Sequence, residues 1–120
     1  MKLALTSQGP DLSFPVDPRF GRAKFFLVVD TEKEGFSAAD NSANLNAAQG
    51  AGIQAAKNAV DLGVEAVITG HVGPNAFKAL QAGGVEVYTG ATGTVADAVE
   101  QFKAGRLKQS SAADVEGHWV

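Results

Sequence analysis

Two stretches of this chain repeat one design, and that repetition restricts the fold more than any other feature of the sequence. Gly63-Val64-Glu65-Ala66-Val67-Ile68-Thr69-Gly70 and Gly84-Val85-Glu86-Val87-Tyr88-Thr89-Gly90 each read as a short apolar, β-branched run bounded by glycine. Each continues through a Gly-x-x-Gly turn, Gly70-His71-Val72-Gly73 or Gly90-Ala91-Thr92-Gly93, into a helical pattern. The first helix has Pro74 at its opening position and Ala76, Phe77 and Leu80 facing inward. The second opens at Thr94, with Asp97 three residues on as its capping partner. Two successive strand-turn-helix units imply parallel strands joined by right-handed crossovers.

Upstream the pattern changes. Leu3–Ser7, Phe25–Asp30 and Phe36–Ala39 read as strands with no helix between them, and Glu32 to Gly35 is a turn. That excludes an all-parallel sheet. Ala47–Leu62 then places Ile53, Ala56, Ala59 and Val60 on one helical stripe, with Gly63 as the stop. The sum is an α/β domain: a mixed five-stranded sheet in the order 3-2-1-4-5, flanked by helices. A chain of 120 residues, 45% of them hydrophobic, fits one such domain and has no room for a second. Residues 1–105 are expected to form it, and the Ser- and Ala-rich segment 106–120 to be a partly disordered tail.

Open α/β sheets take ligands at the carboxyl ends of their strands. The expected order brings the loop after Ser7, the Asn-rich segment Asn41 to Asn46 and both glycine turns to that edge. Glycine lets unpaired N–H groups at a helix start come close to an anion. Gly70, His71, Val72, Gly73 and Asn75 on the first turn, and Gly90, Thr92, Gly93 and Thr94 on the second, are therefore candidate anion-binding positions. Taken singly, either turn is accounted for by glycine's tolerance of tight geometry; the duplication favours a cradle. The loop Gln8–Ala23 is long for a connection within a compact domain, which marks it as functional or mobile. Its Pro18 to Lys24 end sets Arg19, Arg22 and Lys24 around Phe20, although the formal net charge of the chain is -3. An acidic chain with one local basic cluster argues for a small anion and against a nucleic acid or acidic membrane recognised through the overall field. The plainer reading is a solvated loop in which Phe20 plugs the core.

Other chemistries fall away. The chain has no cysteine, which removes disulfides, thiolate zinc sites, Cys-ligated iron-sulfur clusters and a cysteine nucleophile. His71 alone cannot build a protein-only zinc site, and His118 is treated as incidental. Gly50-Ala51-Gly52-Ile53-Gln54-Ala55 matches a dinucleotide fingerprint but has no strand directly before it and no acid after the next strand. A Ser7/His71 nucleophile and base would lack an orienting carboxylate, and a metal-dependent nuclease would need carboxylates on the first strand, where Met1 to Ser7 has none. No stretch reads as a signal peptide or a membrane helix, so a cytoplasmic protein is expected.

The Phe20-Gly21-Arg22-Ala23-Lys24-Phe25-Phe26 stretch, Gly50-Ala51-Gly52, the Gly63 to Gly73 unit and the Gly90 to Val99 unit together resemble one family. It is that of the dinitrogenase iron-molybdenum cofactor biosynthesis proteins and their small stand-alone relatives, and the resemblance spans nearly the whole chain. It implies a ribonuclease H-like fold. The cysteine-free branch further implies a non-enzymatic carrier of a molybdenum-copper sulfide cluster, or a related thiometallate, held without covalent attachment. Arg19 stands where nitrogenase-branch members often have the histidine of His-Phe-Gly, which points away from delivery of the nitrogenase cofactor. A cluster bound without thiolates must bring its own sulfides and be held by charge and hydrogen bonds. Arginine, with its delocalised and weakly hydrated cation, suits that task. On this reading Arg19, Phe20, Arg22 and Lys24 join the two turns in the site, and His71 is a candidate metal ligand. Two alternatives stay open: an enzyme or regulator binding an organic phosphate or nucleotide at the same edge, and an interaction module for a P-loop ATPase partner.

Overall fold

Leu3, Ala4, Leu5 and Thr6 are fully buried, and a strand with no solvated face belongs in the middle of a sheet. In the computed structural model, which describes residues 1–41 and 51–110, that is where β1 (Lys2–Ser7) lies. On one side it pairs antiparallel with β2 (Phe25–Asp30), Leu5 opposite Leu27; on the other it pairs parallel with β4 (Ala66–Ile68), Leu5 opposite Ile68. The strand β3 (Phe36–Asp40) continues antiparallel outside β2, and β5 (Glu86–Thr89) continues parallel outside β4. The expected order 3-2-1-4-5 and the ribonuclease H-like arrangement of its antiparallel and parallel halves are therefore both present.

The sheet goes one strand further than expected. Lys108–Gln109 forms β6, antiparallel to β5, and the Ser110 amide donates to the Val87 carbonyl at 2.7 Å. The segment read as the start of a tail thus covers the β5 edge, with Leu107 packed against the core beneath. A two-residue strand carries no periodicity for a sequence pattern to detect. Residues 111–120 lie outside the described residues.

Strand alternation divides the core between the two faces of the sheet. Ala4, Phe26, Val28, Val67 and Val87 point to one side, where Ala55, Ala56 and Ala59 of α1 (Ala51–Asp61) and Ala76, Phe77 and Leu80 of α2 (Pro74–Ala82) cover them. Leu3, Leu5, Leu27, Val29 and Ile68 point to the other, against Val95, Ala98 and Val99 of α3 (Val95–Lys103). The expected start of α1 at Ala47 falls outside the described residues. Within the described part, Ile53 is 44% exposed and not on the inner stripe, which runs through Ala55, Ala56 and Ala59 instead. Three alanines let the helix axis sit close to the sheet, a gain in contact that the larger Ile53 side chain would prevent.

The capping box anticipated at α3 is formed. Thr94 Oγ1 accepts from the Asp97 amide at 3.1 Å, and Asp97 Oδ2 accepts from the Thr94 amide at 3.1 Å. Thr94→Ala is expected to cost about 1 kcal/mol of stability, readable as a lower urea midpoint at unchanged m-value.

Candidate functional site

The loop after β1 is stitched down along most of its length. The Asp17 amide donates to the Thr6 carbonyl at 3.0 Å, and the buried Thr6 hydroxyl, 2.9 Å from that of Thr69, donates to the Asp17 carbonyl at 2.8 Å. Pro18 and Arg19 then run beside the first glycine turn. The His71 amide donates to the Pro18 carbonyl at 2.8 Å and the Phe20 amide to the His71 carbonyl at 3.2 Å, so that Arg19 and His71 form one rung of parallel pairing. Gly70 has to be glycine here for a reason of contact: a Cβ would lie 2.7 Å from Pro18 Cα and 2.8 Å from its carbonyl oxygen. Phe20–Arg22 makes a single 3₁₀ turn. Asn41 fastens the far end, its amide donating to the Lys24 carbonyl at 2.7 Å and its Nδ2 to the Ala23 carbonyl at 2.8 Å, while Asn58 Nδ2 of α1 donates to Asn41 Oδ1 at 2.8 Å.

That stitching gathers the basic side chains. Arg19, Arg22 and Lys24, with Gln8, Asp17 and Pro18, line one open cleft of about 440 Å³, within the range of small-ligand sites. Arg19 and Lys24 are exposed and Arg22 half-buried. Asp17, 8% exposed, is the acidic member of this lining. Burial pushes its carboxyl above the usual value, against the opposing pull of the Arg19 amide it accepts at 3.0 Å and of the Arg19 and Lys24 charges. Sequence reasoning misses Asp17 as a residue of the site, whereas Asn41 begins the Asn-rich segment expected at this edge. The signal for Asp17 is its Asp-Pro step, a turn initiator whose carboxylate folds back onto nearby amides; the partners of Asn41 lie in distant elements and are not legible from its neighbours.

Several expected site residues go elsewhere. Phe20 is fully buried and packs against Phe26 with ring centroids 5.5 Å apart, so the plainer core reading holds for its side chain. Val72 is likewise in the core. Gly70 and Gly73 are buried, His71 is half-buried and Asn75 exposed at the start of α2, whose N-cap Gly73 provides no side-chain cap and whose Pro74 carries no N–H. The first turn thus stands beside the basic loop as expected.

The second turn is bonded to the first, the Gly90 amide donating to the Gly70 carbonyl at 3.0 Å and the Ala91 amide to the Thr69 carbonyl at 3.3 Å, yet its residues do not line the basic cleft. Thr92 and Gly93 line a separate cleft with Asp97, Glu100, Gln101 and Arg106. The amides at the start of α3 are already taken: Thr94 by Asp97 Oδ2, Val95 by the Phe14 carbonyl at 2.9 Å, Ala96 by the Leu12 carbonyl at 3.0 Å and Asp97 by Thr94 Oγ1. Gly90 and Gly93 are left-handed at φ +83° and +81°, and a Cβ on Gly93 would meet Asp97 Oδ2 at 2.7 Å. The glycines here allow a left-handed turn leading into the α3 cap, and the Asp97 carboxylate stands against Gly93. Ser7, the other half of the rejected pair with His71, donates its hydroxyl to the Gly9 carbonyl at 2.7 Å. Among the described residues no group of three or more His, Cys, Asp or Glu could hold a metal ion, and no helix is long and apolar enough to cross a membrane.

Comparison with known proteins places this geometry in context. Residues 1–105 match the family model described as dinitrogenase iron-molybdenum cofactor. The apo form of the orange protein from Desulfovibrio gigas superposes with a TM-score of 0.92 at 41% identity, covering 95% of this chain and 96% of that one. A Thermotoga protein proposed to be a NifB protein gives a TM-score of 0.83 at 39% identity, covering 97% and 98%. An uncharacterized protein of Methanocaldococcus jannaschii is 30% identical over 112 residues, 91% of each chain.

Proposed function

We propose, from the premise that this chain belongs to the dinitrogenase iron-molybdenum cofactor family, that it is a non-enzymatic carrier whose cargo is a non-covalently held molybdenum-copper sulfide cluster or a related thiometallate anion. One observation carries the reading: Arg19, Arg22 and Lys24 converge on a single cleft in a chain whose net charge is -3. The 41% identity to the orange protein over almost the full length supports it further. Without cysteine the chain offers no thiolate to a metal, so recognition rests on the outer sulfides of the cargo. Guanidinium groups meet such diffuse anions at a smaller desolvation cost than ammonium groups, and Lys24 adds a compact charge at the rim. His71, one rung from Arg19, stands next to this cleft through its backbone.

Mixing the apoprotein with tetrathiomolybdate and a copper salt is expected to produce a visible absorption absent from the protein-free mixture. Amide resonances of residues 17–24 and 70–73 should shift together, and those of 92 and 93, which line another cleft, should stay in place. No new absorption and no shift in the basic loop would end the proposal. Stabilisation by nucleotides or sugar phosphates, and not by thiometallates, would transfer the cleft to an organic phosphate.

A further inference from the structure

A cleft built to hold an anion has no evident need of a carboxylate, yet Asp17 lines this one beside Arg19, Arg22 and Lys24. We propose that Asp17 is the specificity-determining residue of the cleft, admitting sulfide-coated anions and rejecting small, fully deprotonated oxyanions. The inference rests on the carrier reading above and assigns a selectivity to the same site.

The position of Asp17 is fixed by the fold. Its amide and carbonyl are both bonded to Thr6, and its Oδ1 accepts the Arg19 amide at 3.0 Å, so the carboxylate cannot swing away without breaking the turn that presents Arg19. It is 8% exposed and among the described residues has no salt-bridge partner within 4 Å, leaving its charge to act on whatever occupies the cleft. A carboxylate accepts hydrogen bonds and donates none. An oxyanion such as molybdate or sulfate has compact, strongly accepting oxygens and no proton to offer at neutral pH. Lodged among the three cations, it would meet the Asp17 oxygens acceptor to acceptor, and like charges brought together in this way are strongly disfavoured. Sulfide ligands are larger, spread their charge and accept hydrogen bonds weakly. They stand further from the carboxylate and lose less, because Coulomb repulsion falls with distance. Molybdate and tetrathiomolybdate share charge and tetrahedral shape, and comparing variant with wild type for each anion cancels their differences in size and hydration, so the pair isolates the effect of Asp17.

The test is Asp17→Asn. Asparagine keeps an oxygen to accept the Arg19 amide and replaces the repelling oxygen by an N–H₂ donor. Molybdate affinity, measured by calorimetry at neutral pH, is expected to rise about tenfold or more, while tetrathiomolybdate affinity, measured by optical titration, changes less than about threefold. Equal shifts for both anions, or no shift for either, would overturn the inference. Should the asparagine variant fail to fold, Asp17→Ser, whose hydroxyl can also accept the Arg19 amide, is expected to relax the selectivity in the same direction. Failure of the carrier reading looks different: the wild-type protein would bind neither thiometallate, alone or with copper, whatever stands at position 17.

Discussion

Arg19→Ala combined with Lys24→Ala is expected to weaken binding of the thiometallate cargo by roughly 10²- to 10⁴-fold, with little change in the thermal midpoint. Each side chain can give an anion a charge-assisted hydrogen bond of about 1.5–3 kcal/mol, and every 1.4 kcal/mol is a factor of about ten. Both are exposed at the cleft, so their removal takes away no core contact. Arg22 is left in place because it is half-buried and has an interaction partner of its own, so its loss would mix structural with binding effects. Optical titration of the double variant against tetrathiomolybdate and copper reads the affinity, and circular dichroism on heating reads the fold. Each single variant should lose about half of the effect in free energy. A double variant that binds within about threefold of wild type would remove the basic cleft from the mechanism.

Gly70→Ala is expected to be the most damaging single substitution of the rim to stability. The new methyl would meet backbone on Pro18 at 2.7 and 2.8 Å, and backbone cannot rotate aside as a side chain can. Relief requires the loop to lift, which opens the bonds from His71 to Pro18 and from Phe20 to His71. Overpacking of about 1–3 kcal/mol and the two hydrogen bonds together give roughly 2–5 kcal/mol. For a domain of this size that lowers the melting midpoint by roughly 8–20 °C. Gly90→Ala is the matched control. Gly90 has φ +83° but no atom within 4 Å of where a Cβ would stand, so alanine there costs only the left-handed conformation, about 1–2 kcal/mol. Equal losses at the two positions would show that the Pro18 contact contributes nothing. A lifted loop also disperses Arg19 and Asp17, so Gly70→Ala should lose cargo affinity and Gly90→Ala keep it.

The repeated units made half of the sheet legible. Val64 to Thr69 and Val85 to Thr89 are bounded by glycines that suit no other place in a strand, and each is followed by a helix whose first residues, Pro74 and Thr94, are strong start signals. The absence of helical periodicity before Asn41 gave the antiparallel half. Sequence reasoning failed at β6, whose two residues have no pattern, and at Ile53, where an apolar residue fitted the stripe but the sheet accepted only alanines.

The two glycine turns divide differently from their fold, although their sequences are alike. Pro18 and Arg19 press against the first, while residues 12–16 lie across the start of α3 and take its amides. Local sequence could not distinguish them, because the partners of each turn come from different stretches of the loop after β1, Pro18 at the first and residues 12–16 at the second. Phe20 makes the same point from the core side: an aromatic between two arginines suits either a ligand or a hydrophobic face, and proximity to Phe26 settles its side chain.

The sequence by itself determined the order of the first five strands, the starts of α2 and α3 and a local excess of positive charge, since these depend on periodicity, capping residues and composition over short windows. Only the tertiary structure decided which anion-binding features meet, because that depends on where the loop Gln8–Ala23 crosses the sheet. Its crossing set Asp17 among the cations, while Thr92 and Gly93 line a different cleft. A hydrogen bond between distant residues is a property of the folded path, and no window of neighbouring residues contains it.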